Sequence, residues 1–331
     1  MMRRLAVALT FALATNSAAF AQVPPPMQAP PPPPAPPPQV APPRPYAPRP
    51  EPTAESTSGE HRVLGGHRFV TPGNMESAFL NTSIASAQGV GILSYRGTSA
   101  LDGTTRDAQV FLYTQSVLAT VGIANRLAFD VRAAGVAAVG GDLDTILTVG
   151  ALANLNAGGM AKIRLLTLED VGFQATAGVG GYYTRTLNLQ PSILLGKALG
   201  DARALESDVI QQTSRFELVP ALMLAEGVGA FGVQLALSPK IRTAEGQSNA
   251  VDVGTQVTLD IGKVASFVPI AVSGEYQLSM PIDGAGKDHH LGASVLYSGR
   301  QAFNVGVLGG FHLFANDMKI MTGGIAMQYF F

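Results

Sequence analysis

Apolar and polar side chains alternate with a period of two through most of this chain, from about residue 76 to the last residue. Val251, Val253, Val257, Leu259 and Ile261 interleave with Asp252, Gly254, Gln256, Thr258 and Asp260. Val268, Ile270, Val272, Tyr276 and Leu278 do so with Ser273, Glu275, Gln277 and Ser279. Phe303, Val305, Val307, Phe311 and Leu313 do so with Asn304, Gly306, Gly310 and His312. Successive side chains of a strand point to opposite faces, so each segment predicts a strand with one apolar face and one polar or small face. Twelve such segments are predicted, over about 76–96, 108–123, 127–140, 157–167, 171–187, 214–225, 229–244, 251–262, 266–280, 290–298, 302–314 and 318–331. Tight connectors (124–126, 168–170, 226–228, 263–265, 299–301) alternate with mostly longer ones that reach 188–213. An even number of strands, with short turns at one end and long loops at the other, predicts a transmembrane antiparallel up-and-down β-barrel of about twelve strands.

The N-terminus reads differently. Arg3 and Arg4 precede an apolar run from Leu5 to Ala14, and Ala19-Phe20-Ala21 supplies an A-x-A cleavage site. Residues 1–21 are therefore predicted to be a cleavable export signal. Residues 22–52 hold 17 of the 23 prolines. Proline fixes φ and lacks an N–H, so this stretch predicts a disordered, extended polyproline spacer, at about 3.1 Å per residue on the order of 90 Å long. Residues 53–75 are polar and predict a connector or a plug, ahead of a barrel over 76–331.

Composition narrows the function. The chain of 331 residues is 47% hydrophobic yet only 14% charged, where a soluble domain carries about a quarter. No run outside the leader approaches the ~18–20 apolar residues of a spanning helix. A formal charge of −1 argues against nucleic acid as a partner. The absence of Cys removes disulfides, thiolate zinc sites and Cys nucleophiles together. A secreted β-sandwich also alternates, but it would carry more surface charge and no long–short loop rhythm.

Aromatic placement gives a second line. A Phe opens the strand after each of five tight turns, at Phe129, Phe173, Phe231, Phe267 and Phe303, and the chain ends with Tyr329 and Phe331 on one face. These seven positions predict an aromatic girdle at the periplasmic membrane interface, although Phe267 has the opposite parity to Val268 and Ile270. The closing segment Gly323-Gly324-Ile325-Ala326-Met327-Gln328-Tyr329-Phe330-Phe331 resembles the C-terminal strand of Gram-negative outer-membrane β-barrels. Gly122-Ile123-Ala124-Asn125-Arg126-Leu127-Ala128-Phe129 resembles the periplasmic hairpins of small transporter- and porin-type barrels. The resemblance implies a bacterial outer-membrane location, with the lipid bilayer and the barrel-assembly machinery as partners, the latter reading the terminal strand. It identifies a class, not one family; no N-terminal hatch of the kind expected in long-chain fatty-acid transporters is evident.

The same parity turns Asp130, Arg132, Lys162, Arg164, Arg215, Glu217, Gln234, Asp252, Asp260, Glu275 and Gln277 toward the lumen. A cation facing hydrocarbon on a barrel costs about 2–4 kcal/mol, so these groups must meet water or each other. Either they line a wet pore that passes small polar solutes, or they pair and partly close it; twelve strands leave both open. The function expected is a passive channel or transporter. The alternative is a structural barrel whose arm, residues 22–52, engages a periplasmic partner. Loops 145–153 and 192–205 are more apolar than solvated loops and are expected to fold on the barrel rim, or to collect hydrophobic solutes there.

Catalysis has little support. Asp288-His289-His290, near Asp283, suggests at most a rim hydrolase, and adjacent His residues on a strand face opposite ways. Gly227-Val228-Gly229-Ala230-Phe231-Gly232 matches a dinucleotide fingerprint, but a strand follows where a helix is required. No catalytic residue, metal site or cofactor is expected.

Overall fold

A computed structural model of the chain describes residues 62–70, 75–98, 103–243, 248–284, 286–300, 302–315 and 318–331. The leader and the proline-rich arm lie outside the described residues. A two-residue hairpin, β1 (Val63–Leu64) and β2 (His67–Arg68), precedes the main sheet. The sheet consists of β3 (Ser83–Thr98), β4 (Thr105–Ile123), β5 (Leu127–Gly140), β6 (Ala151–Leu168), β7 (Phe173–Leu189) and β8 (Ile210–Val228). It continues with β9 (Phe231–Arg242), β10 (Ala250–Asp260), β11 (Ile270–Pro281), β12 (Asp288–Tyr297), β13 (Phe303–Leu313) and β14 (Lys319–Phe330). Every neighbouring pair is antiparallel and consecutive, and β14 closes the sheet on β3, from Phe330↔Ser83 to Lys319↔Ser94. The chain is a closed twelve-stranded antiparallel barrel.

The sequence pattern explains the closure. Along β5, Leu127, Phe129 and Val131 are exposed, while Ala128 and Asp130 are buried. Along β9, Phe231, Leu235 and Leu237 are exposed and Gln234 and Ser238 buried. The barrel is thus apolar outside and polar or small inside, the inverse of a water-soluble protein. Tight turns sit at one end. Ala124 and Asn125 both take positive φ (50° and 56°), with Arg126 N–H donating to the Ile123 carbonyl at 3.2 Å. Positive φ at both central residues gives the turn a twist that matches the flanking strands.

The long-loop end carries helices. α1 (Leu143–Val149) is capped by Asp142, whose carboxylate accepts from Thr145 N–H at 2.8 Å. α2 (Pro191–Ala198) and α3 (Ala202–Glu206) fill the connection between β7 and β8. α2 packs on α3 and on α1, and Leu194, Leu195, Leu199 and Leu205 are left exposed. A short helix, α4 (Ile261–Val264), makes the turn between β10 and β11.

Most boundaries differ from the sequence expectation by a few residues, and three of the differences are instructive. Residues 76–82 do not begin the first strand, because Phe79 and Leu80 are adjacent and both buried, which no two-faced strand allows. The sixth strand starts at Ala151, directly after α1. Phe267 lies in the turn that follows α4, not on β11, which accounts for its contrary parity.

Candidate functional site: a lumen closed by the N-terminal segment

Residues 62–70 and 75–81 lie inside the barrel at the short-turn end. The hairpin of β1 and β2 is seated on the turns. Gly65, at φ +56°, approaches so closely that a Cβ there would stand 1.7 Å from the Gly227 carbonyl oxygen. A Cβ on Gly227 would in turn stand 2.2 Å from the Leu64 carbonyl oxygen. Only glycine allows two backbones to meet this way. Gly229 N–H donates to the Gly65 carbonyl at 2.8 Å. The segment that imitates a nucleotide-binding loop is therefore a hairpin turn that holds another piece of the chain.

Beyond the hairpin, Phe69 and Phe79 meet at 4.6 Å between ring centroids and join Leu64, Ala78, Met160, Val219, Met223 and Ala236 in one apolar cluster. Val70 packs with Ala271 and Leu296. Full burial of such side chains stabilises by about 1.5–3 kcal/mol each. The backbone between them is satisfied by the wall. Gln174 Nε2 and Thr176 Oγ1 both donate to the Ala78 carbonyl (2.6 and 2.7 Å), and Ala78 N–H donates to Gln234 Oε1 at 3.2 Å. Arg62 lies over the inward ring of Phe330, 3.9 Å from its centroid, and donates to the Phe69 carbonyl at 3.2 Å.

One carboxylate of the plug reaches the middle of the bore. Glu76 pairs with Arg132 (3.4 Å) and Lys162 (3.9 Å) and accepts from the Tyr182 hydroxyl at 3.2 Å. Lys162 also donates to the Ser77 carbonyl at 3.0 Å and forms a close ion pair with Asp130.

The other wall residues expected to face inward sit at inward positions of their strands, and most are engaged there. Glu217 accepts from Arg242 at 2.9 Å and pairs with Arg215 at 3.3 Å, and Asp252 pairs with Lys240 at 2.6 Å. Gln234 donates to Gln256 at 2.8 Å, and Gln277 to Glu275. Asp260 serves the short-turn end, accepting from Gly262 N–H (3.1 Å) and Ser298 Oγ (3.2 Å). Arg164 stands near that end too, beside an irregularity in the β6–β7 register. Of the seven aromatic positions, Phe129, Phe231, Phe267, Tyr329 and Phe331 are exposed, and Phe173 and Phe303 are half-buried.

Sequence reading misses Glu76, which ties the plug to the wall, its partner Tyr182, and the cations Lys240 and Arg242. It also misses a second outward aromatic group toward the long loops: Phe111, Tyr113, Tyr183 and Phe216, the last two paired in register. Tyr183 stands ten residues up β7 from Phe173. At about 3.3 Å per residue and a tilt of about 40° that is about 25 Å, the height of a membrane-facing apolar band.

Above the plug the bore is open. A cavity of about 480 Å3 is lined by Ala85, Ala87, Gly89, Thr114, Ser116, Ala134, Ser273, Glu275, His290 and His312, among others. A second, of about 170 Å3, lies among Glu76, Tyr182, Glu217, Lys240 and Asp252. His289 bonds the Tyr276 hydroxyl at 2.9 Å, whereas His290 faces His312 on the inner side at 5.8 Å between rings. Among the described residues no three metal-ligating side chains come together.

Comparison with known proteins gives no family. No family model matches the chain, and no curated protein sequence matches it. Among solved structures it is similar, at low identity, to outer-membrane barrels. The COG4313 outer membrane channel from Pseudomonas putida F1 is 11% identical, covering 80% of this chain and 100% of its own, with TM-score 0.47. The NanC porin is 10% identical over 74% and 98%, with TM-score 0.43. The transport unit of the autotransporter AIDA-I from Escherichia coli is 9% identical over 82% and 97%, with TM-score 0.43. The barrel itself rests on its own strand pairing: a closed sheet of twelve strands, filled at one end by residues that precede it.

Proposed function

We propose that the chain is a bacterial outer-membrane channel for small polar solutes, closed toward the periplasm by its own N-terminal segment and conducting when that segment shifts. The observation that carries this reading is the inversion of the barrel. Its outward face is a belt of Leu, Val, Ile and Phe between two aromatic groups, and its inward face holds ion pairs and amides. Lipid leaves no open strand edge unsatisfied, and the β14–β3 seam leaves none. The lumen charges pair with one another, so they impose weak selectivity by charge, and the cavity of about 480 Å3 falls within the usual range for small-molecule sites. The short turns and both strand termini of the seam then face the periplasm, and the terminal strand ending in Phe331 is offered to the assembly machinery.

Planar-bilayer recording of the refolded, exported chain tests the reading. Discrete but infrequent current steps are expected, because the plug fills the short-turn end. Folded protein that never passes current, and that releases no entrapped small solute from proteoliposomes, would overturn it.

A further inference from the structure

The plug does not fill the bore evenly. Its apolar side, Leu64, Phe69, Ala78 and Phe79, is pressed against β6–β9. Its other side faces β3, β4, β5 and β14, where the inner wall is nearly bare: Ala85, Ala87, Gly89, Ala134 and Ala326 border the large cavity. At the foot of that wall a gap of about 30 Å3 separates plug from barrel. Leu118 and Arg132 border both spaces, so the gap continues the large cavity downward.

The chemistry of the gap is specific. Glu76, Ser77 and Asn81 line it from the plug, and Ser83, Thr120, Asp130, Lys162 and Gln328 from the wall. Its charged groups are spent on each other, Lys162 on Asp130, Glu76 and the Ser77 carbonyl, and Arg132 on Glu76. Two acceptors are not spent. Asn81 Oδ1 and Asp130 Oδ1 are buried and hydrogen-bond to nothing in the protein, on residues only 7% and 5% exposed. A buried acceptor left unmade costs about 1–3 kcal/mol, so two at one gap call for a donor between them. The volume suits a water or a group of similar size.

We infer that the route past the plug runs on one side only, down the β14–β3–β4 wall and through a throat at Asn81 and Asp130. There, acceptor oxygens favour small hydrogen-bond donors and cations over anions. This rests on the channel reading and names its path. Below the second cavity, which reaches Tyr182, Val219 and Ala236, the β6–β9 side stays sealed, since Phe69 and Phe79 pack there and the Ala78 backbone is bonded to Gln174, Thr176 and Gln234.

The chain has no Cys, so single cysteines report without background. Thr120→Cys places a thiol in the throat, Thr176→Cys one beneath the sealed side, and Ser273→Cys one in the open cavity. Cationic aminoethyl and anionic sulfonatoethyl methanethiosulfonates are added from the long-loop side, and labelling is read by mass and by current. The Thr120→Cys variant is expected to label while Thr176→Cys does not, and to favour the cationic reagent several-fold over the preference shown by Ser273→Cys. Modification in the throat is expected to stop the current steps. Equal labelling of the Thr120→Cys and Thr176→Cys variants, or block through Thr176→Cys alone, would overturn the one-sided route while leaving a channel. A reagent preference in Thr120→Cys no different from that in Ser273→Cys would overturn the acceptor throat. Mass labelling decides the route even in a chain that passes no current, a result that would instead defeat the channel reading.

Discussion

His67 is the residue whose protonation bears most directly on the plug. It is fully buried on the second strand of the small hairpin, its ring set edge-on against Phe69 at 4.6 Å. Burial pushes its pKa down to about 4, with Asp260 opposing and Lys263 adding to the effect. An unfolded or undocked His titrates near 6.5, so the docked plug holds the neutral form. The contribution of His67 to docking is therefore intact above about pH 6.5 and is lost as pH falls through 4. At about 1.4 kcal/mol per pKa unit the full penalty is about 3 kcal/mol. Channel openings are expected to become more frequent between pH 7 and pH 5, and His67→Phe is expected to flatten that response. An acid response that survives in His67→Phe would place the sensitivity elsewhere. By contrast Arg62, pulled down to about 9 by burial and by Arg68, keeps its charge over Phe330 throughout this range.

At the scale of the element, strand parity assigns each side chain an environment, and arginine scanning reads it out. Val131 is exposed on the outward face of β5, and Ala134, three residues on, borders the open cavity. Val131→Arg is expected to lose about 2–4 kcal/mol of folding stability in a bilayer, as a cation facing hydrocarbon does. Ala134→Arg is expected to lose little, because its side chain enters water. Denaturant titration in lipid vesicles measures both; equal losses would overturn the assignment of the two faces, and a larger loss in Ala134→Arg would mean that inside and outside are exchanged. The strands are legible in the sequence for the same reason. A residue that divides two environments carries period-two information locally, so all twelve segments overlap a barrel strand, 127–140 to the residue. The plug is legible only as one of two readings of residues 53–75, and neither its seat on the wall nor its reach to Asn81 can be read from the sequence. Ala78 is held by Gln174 and Gln234, 96 and 156 residues away. Phe69 and Phe79 are buried by strands far along the chain, and nothing in their neighbours announces it. The one local clue is the pair Phe79-Leu80, which breaks alternation inside the segment that reads as the first strand. Inward charges are legible by parity, but the partner each finds depends on register, which alternation alone does not fix.

For the whole molecule, the sheet and its plug make separable contributions. The seam is complete from Ser83 onward, and among the described residues no ladder pair of the barrel uses 62–70 or 75–81. Removing those residues leaves the closed sheet and its outward belt as they are. It exposes Met160, Val219, Met223 and Ala236, now covered by Phe69 and Phe79, to water in the bore. It also releases Arg132 and Lys162 from Glu76, leaving Lys162 with Asp130 and Arg132 with no acidic partner from the plug. Two effects follow from one deletion. The open cavities would join through the short-turn end, so single-channel conductance should rise several-fold and rare openings become long ones. The apolar patch would be wetted and the anchoring pairs lost, so the melting temperature of the detergent-folded barrel should fall, although the protein still inserts. Current traces and a thermal scan on the same preparation check both. A deletion variant that folds, melts lower and conducts no better would show that the segment braces the wall without blocking the bore, and the gate would then have to be sought among α1, α2 and α3 at the long-loop end.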